Sequence, residues 1–169
     1  PLLPANKDAK HFDVGLCQTA HKLKWPEPDQ WCGYFRTSGL RNVAVRQTFM
    51  HNGVFRTLRD TVAFYATRST DPAQWYPGTK GTPLRFNDVP AKYQGNVNVN
   101  AVPMNRRPGT TPALTEDEID DIVAFLRTLT DARYVGLMPD AAADKARSAH
   151  APKAAAKTAA TERPATNTR

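Results

Sequence analysis

From about residue 68 to residue 113 the sequence shows no sustained hydrophobic periodicity. Asp71-Pro72, Pro77-Gly78, Pro83, Pro90 and Pro103 interrupt it at short intervals. Each proline removes a backbone donor and turns the preceding residue away from helix. A connection this long is rare in a compact domain unless it is functional or wraps something. The connection reads as long, irregular and stiffened by its prolines. Fourteen prolines against nine glycines argue against a sheet-rich fold. One stretch inside it, Asn96-Val97-Asn98-Val99-Asn100, alternates with period two and is predicted as a short extended segment.

Helices are signalled on both sides of this connection. Thr115 is placed to cap a helix, with Glu118 three residues on completing a capping box. Leu114 and Ile119 fit the hydrophobic staple across that cap. Glu116, Asp117 and Glu118 favour the positive end of the helix dipole. Ile119, Ile122, Val123, Leu126 and Leu129 then form one apolar stripe that ends near Thr130-Asp131. A second helix is predicted from Thr57 to about Thr67, with Thr57 as cap and Leu58, Val62 and Tyr65 on one face. Ahead of it, His51-Asn52-Gly53 reads as a tight turn, since Asn-Gly readily supplies positive φ.

The flanking zones are less regular. Residues up to about 36 are loop-rich, punctuated by Trp25-Pro26-Glu27-Pro28 and Trp31-Cys32-Gly33, which excludes long helices. Residues 139–169 are rich in Ala, Lys, Thr, Pro and Arg, with no aromatic residue and no Leu, Ile or Val. Such a composition buries too little apolar surface to offset its ordering entropy, so a disordered tail is expected there. With 40% hydrophobic residues in 169, the chain has material for one modest core, placed in residues 1–138.

The net charge of +7 raises the question of nucleic acid. About three of these charges fall beyond residue 138, and no basic stripe carries interleaved aromatics, so nucleic-acid binding is not expected. A mild positive surplus fits a solvated surface or steering toward an acidic partner. No apolar run approaches the roughly 18–20 residues of a membrane-spanning helix.

The sequence Phe35-Arg36-Thr37-Ser38-Gly39-Leu40-Arg41-Asn42-Val43-Ala44 is followed by Phe49-Met50-His51-Asn52-Gly53, then Thr57-Leu58 and Ala63-Phe64-Tyr65. This succession resembles the C-terminal domain of the di-haem cytochrome c peroxidase/MauG family. There the string reads F-K-T-P-x-L-R-N-V-A, then P-Y-[MF]-H-[DN]-G, then T-L-E-E-V-V-x-F-Y. The match runs without a gap from Phe35 to Tyr65. Trp75-Tyr76-Pro77, the Asn96–Asn98 segment and the capped helix at Thr115 extend it to about residues 12–131. The resemblance implies an all-α, cytochrome c-like domain, partial here, with long loops around a c-type haem. It further implies a periplasmic oxidoreductase that reduces hydrogen peroxide or uses it to oxidise a substrate. Its implied partners are an N-terminal haem domain of the same protein and an electron donor such as a small cytochrome or cupredoxin. The rival reading is a c-type electron-transfer module without peroxide chemistry.

The family attaches each haem through Cys-x-x-Cys-His, and this sequence has no such motif: Cys17, His21 and Cys32 do not form one. The haem-attachment sites are therefore expected upstream of Pro1, and the chain by itself is expected to be inactive and free of covalent haem. Its implied contribution is the opposite wall of the pocket. The family places the sixth iron ligand fourteen residues after the motif His, as Met in the ordinary peroxidases and Tyr in the MauG-like branch. Fourteen after His51 is Tyr65. A thioether raises the reduction potential, whereas a phenolate favours the oxidised iron. Helical periodicity alone equally allows Tyr65 to be a core residue. Arg41 and His51 match positions lining the haem pocket, where a guanidinium can pair with a propionate. Arg41 can otherwise form a surface ion pair, and His51 can otherwise be a buried histidine holding the Asn52-Gly53 turn. Met50 is a thioether by type, though its place suits core packing.

The family also carries an interdomain calcium, partly on carbonyls of the stretch matching Arg46–Thr48. Here Arg46-Gln47-Thr48 replaces the usual Thr-x-Pro, which departs from that pattern. Haem attachment implies an oxidising compartment, where Cys17 and Cys32 would pair in a disulfide contributing ~3 kcal/mol. The other use of these residues is zinc on Cys17, His21 and Cys32, which lacks a fourth ligand at standard spacing.

Overall fold

The two capped helices form where their sequences predict. In the computed structural model, which describes residues 11–76, 78 and 82–148, helix α2 spans Leu58–Thr67 and α4 spans Glu116–Thr128. They follow α1 (Cys17–Lys22), with the short α3 (Pro72–Trp75) between them, and α5 (Ala141–Arg147) comes last. Thr57 Oγ1 accepts the Asp60 N–H at 3.0 Å. At α4 the box is reciprocal: Glu118 N–H donates to Thr115 Oγ1 (3.3 Å), and Thr115 N–H donates to Glu118 Oε2 (2.8 Å). That pair of bonds satisfies two end donors of the helix. The backbone N–H and hydroxyl of Thr115 hold the Glu118 carboxyl below the usual carboxylate range.

Packing of α2 on α4 builds the main core. Leu58, Ala63 and Ala66 of α2 meet Ile119 and Leu126 of α4, joined by Val43, Ala44, Phe49, Phe55 and Trp75. Leu114 packs against this cluster and Ile119 is fully buried, so the staple holds. A charged seam closes the helix pair. Arg59, whose side chain is only 5% exposed, reaches Glu116 at 2.5 Å and Asp120 at 2.7 Å. Burial pushes the Asp120 carboxyl up, but hydrogen bonds from Lys145 and Arg59 outweigh it and leave the group below its ordinary range.

The N-terminal zone folds around a second, smaller core of Cys17, Cys32, Val89 and Tyr93. There α1 lies against a 3₁₀ turn over Pro28–Trp31, and the Cys17–Cys32 disulfide joins them across a separation of 15 residues. Gly15 is required at its position. Its φ is +59°, and an added Cβ would sit 2.1 Å from the Tyr34 carbonyl, with which this segment forms an isolated bridge.

Two expectations need correction. The predicted extended segment at 96–100 is not a strand, and no strand occurs among the described residues. Asn96 ends a 3₁₀ turn (Ala91–Asn96), and its amide donates to the carbonyls of Asp29 and Cys32, both at 2.9 Å. Asn98 Oδ1 accepts from the N–H groups of Asn100 and Ala101 at 3.1 and 3.0 Å. The alternation therefore reflects side chains bonding backbone in turns, not a pleated face. The first part of the stretch expected to be disordered, up to Ser148, is folded. Asp140 caps α5, accepting from the N–H groups of Ala142 and Ala143. The helix is tied down by polar groups: Lys145 to Asp120 at 2.6 Å, and the Ser148 hydroxyl to Asp60 at 2.5 Å. The remainder of that expectation, residues 149–169, lies outside the described residues. Among the described residues no helix is long and apolar enough to cross a membrane.

Candidate cofactor site

A cleft of about 470 Å³ opens beside α2. Its floor is aromatic. Phe64 lies edge-on to Trp75 (5.4 Å between centroids) and tilted against Phe55 (5.2 Å), while Tyr76 meets Phe86 edge-on at 5.6 Å. Trp75 Nε1 donates to Thr67 Oγ1 at 2.8 Å, which fixes the indole against α2. Burial pushes the Tyr76 hydroxyl above its ordinary pKa, so it stays neutral.

Tyr65 stands on this wall, 47% exposed, with its ring against Phe64 at 5.9 Å. Its hydroxyl takes no hydrogen bond from any described residue. It is not a core tyrosine: Leu58, Ala63 and Ala66 of α2 enter the core, while Tyr65 at the edge of that face lines the cleft. His51 reaches the same cleft from the 50–55 turn. Its ring is exposed and stacks on Phe35 at 3.8 Å and 15°. His51 is thus no buried histidine holding its turn. That role falls to Asn52, whose side chain accepts the Val54 N–H at 3.1 Å, with Gly53 at φ +65°. Met50 is half-buried on the main core and also lines the cleft.

Arg41 does not line the cleft. Its Nε donates to both Asp131 oxygens (3.0 and 3.1 Å), and Nη2 lies 2.9 Å from Oδ1. Asn42 exchanges two further bonds with Asp131. Those hydrogen bonds, Arg41's foremost, hold the Asp131 carboxyl below its usual range. The surface ion pair, one of the two readings open for Arg41, is the one the structure shows. One arginine that sequence reasoning missed is on the cleft lining instead. Arg68 lines it one helical turn beyond Tyr65, and Arg85 lies over Phe86. The spacing of three from Tyr65 was the available signal for Arg68.

Among the described residues, Cys17, His21 and Cys32 place potential ligand atoms within 4.8 Å of one another. Both sulfurs are consumed by the disulfide, and the His21 ring bonds Asp29 at 2.8 Å, so the cluster does not offer zinc a site. Arg46, Gln47 and Thr48 are exposed, and no other metal-holding group of three His, Cys, Asp or Glu occurs among the described residues.

The wall suits a flat, largely apolar cofactor. It offers aromatic rings packed edge to face, a phenol with no partner among the described residues and the Arg68 guanidinium, in a volume usual for cofactor sites. Arg68 Nε in particular is buried without a partner. With both cysteines paired, these residues offer no thiol for covalent haem attachment.

No family model matches the chain. The fold is nonetheless the all-α fold of a solved diheme peroxidase. BthA from Burkholderia thailandensis E264 is 72% identical, with a TM-score of 0.74 over 81% of this chain and 32% of that chain. A variant of the same peroxidase matches at 71% identity with the same score. The methylamine utilization protein MauG of Paracoccus denitrificans is 35% identical over 151 residues, which is 83% of this chain and 35% of MauG. The chain thus spans about a third of the length of these relatives. It belongs to the di-haem cytochrome c peroxidase/MauG family.

Proposed function

We propose that this chain forms the distal wall of one c-type haem in a periplasmic di-haem peroxidase, and that Tyr65 supplies the sixth iron ligand. The haem would be held by a Cys-x-x-Cys-His segment that the present sequence does not contain. When bound, it would supply the electron exchange with hydrogen peroxide, either reducing it or using it to oxidise a substrate. The observation that carries this reading is the phenol of Tyr65, opening unpartnered into an aromatic cleft fourteen residues beyond His51. Phe55, Phe64 and Trp75 exclude water from one side and fix the pitch of α2. The Phe35–His51 stack at the cleft mouth would give the cofactor a flat surface to rest against.

An oxygen donor favours the oxidised iron, where a thioether would favour the reduced one. Tyr65→Met in a haem-bearing polypeptide containing this segment is therefore expected to raise that haem's reduction potential. Redox titration beside the parent checks it, and an unchanged potential would remove Tyr65 from the coordination sphere.

A further inference from the structure

We infer that Arg68 is a positioning residue, a latch that ties the connection back onto α2 and so sets the width of the cleft into which Tyr65 opens. Its effect on iron rests on reading the cleft as a haem site. Arg68 caps the C-terminal end of α2, one helical turn beyond Tyr65, and both residues line the cleft. Phe86, Asn96, Val97 and Asn98 of the connection line it too. The guanidinium reaches both pieces of chain. Its Nη2 donates to the Asn98 carbonyl, 30 residues on. It also bonds the Tyr76 hydroxyl, which works against the effect of burial on that phenol. Its carbon lies 5.8 Å from the ring centroids of Phe64 on α2 and of Phe86 in the connection.

This cation is held at a cost. Arg68 is half-buried, makes no ion pair with any described carboxylate, and keeps a buried Nε without a hydrogen-bond partner. The buried Arg59, by contrast, faces Glu116 and Asp120. A desolvated guanidinium without an anion, one donor left unmade, lowers the stability of a fold. What it secures in return is span. A planar fork on a long stem donates in two directions while its faces rest on aromatic rings, which neither an ammonium nor an apolar side chain can do. Ser69 and Thr70 continue the row. The Ser69 hydroxyl donates to the Met104 carbonyl at 2.9 Å, and the Thr70 carbonyl accepts the Gly109 N–H at 2.8 Å. The end of α2 thus holds the connection at 98, 104 and 109, with Arg68 holding the part that carries Phe86 and Asn98. A group displaced by about 1 Å from its working position loses much of its effect. The latch therefore acts through the placement of Tyr65, not by touching a cofactor.

The test has two arms. The first follows amide hydrogen exchange in the 169-residue chain without cofactor, for the parent, Arg68→Met and Arg68→Lys. The reporter is the Val97 N–H, bonded to the Gln94 carbonyl at 3.2 Å beside Asn98. Arg68→Met should speed exchange there about tenfold and leave the α4 amides as they were. Arg68→Lys, which keeps the charge but not the fork, should speed it as well. The second arm places the same substitutions in a haem-bearing polypeptide containing this segment, where part of the ferric haem should leave its six-coordinate form. Thr115→Ala, which weakens the fold away from the cleft, should leave that spectrum as in the parent. Unchanged exchange at Val97 in both variants overturns the latch, whatever the spectrum does, since Arg68 would then act on the cofactor directly. Faster exchange spread equally over α4 also overturns it and makes Arg68 a general support. Where Tyr65 binds iron, faster exchange at Val97 with an unchanged spectrum overturns the positioning role. If Tyr65→Phe itself leaves the ferric spectrum unchanged, the ligand reading fails and the exchange arm alone decides the latch. Should Arg68→Met fail to fold, as judged by thermal melting, Arg68→Lys decides both arms.

Discussion

Tyr65 and Arg41 lie on one well-matched stretch of sequence, yet the fold sends them to different places. Tyr65 follows Leu58 and Val62 at helical spacing, a pattern that suits burial. It emerges half-exposed because the buried face of α2 is centred on Arg59, Ala63 and Ala66, which leaves Tyr65 at its edge, facing the cleft. Its hydroxyl has no described partner, so Tyr65→Phe should change the stability of the chain by less than about 0.5 kcal/mol in urea unfolding. A larger loss would reveal a structural bond for that hydroxyl. Arg41 was legible as a cation in the right string, but its partner Asp131 is 90 residues away. No local pattern announces a contact at that separation. Arg68 escaped notice for the opposite reason: it sits beside the key residue, but its contacts are with Phe86 and Asn98, which lie in the connection beyond α2.

At the scale of elements, α2 and α4 were readable because caps, first-turn charges and apolar stripes are all local. Removing the Thr115 hydroxyl breaks one arm of the box, and Thr115→Ala is expected to lower stability by about 1 kcal/mol. Denaturant midpoints for parent and variant check this, and an unchanged midpoint would show that the cap is redundant. The turns of the long connection were not readable, since Asn96 bonds carbonyls of Asp29 and Cys32 from more than 60 residues away. Helix α5 was not legible because no apolar docking face marks it; Lys145 and Ser148 hold it through Asp120 and Asp60. Three carboxylates at these joints, Glu118, Asp120 and Asp131, have pKa values lowered by folding. A lowered carboxylate pKa contributes stability that is fully present above its unfolded value, about 4, and is lost as pH falls through the folded value. The melting temperature should therefore be flat from about pH 7 to 5 and fall below about pH 4. A melting temperature that stays constant through that acid range would contradict the assigned hydrogen bonds.

For the whole molecule, the disulfide links the small N-terminal core to the loops that face the cleft. Val89 and Tyr93 pack on Cys17 and Cys32, and Val89 also lines the cleft. Reduction, or Cys17→Ser with Cys32→Ser, is expected to lower stability by about 3 kcal/mol. Calorimetry on reduced and oxidised chains measures it. Lacking Cys-x-x-Cys-His, the chain made alone in a host competent for cytochrome c maturation should carry no haem that survives denaturing electrophoresis. The claim on which the rest depends is that this wall presents a phenol oxygen to haem iron. Resonance Raman of the ferric haem tests it most directly, comparing a haem-bearing polypeptide that contains this segment with its Tyr65→Phe variant. The expected result is loss of the phenolate modes and of the six-coordinate marker bands in the variant, with the protein still folded. Identical spectra from the two proteins would contradict it and make Tyr65 a bystander on the cleft wall.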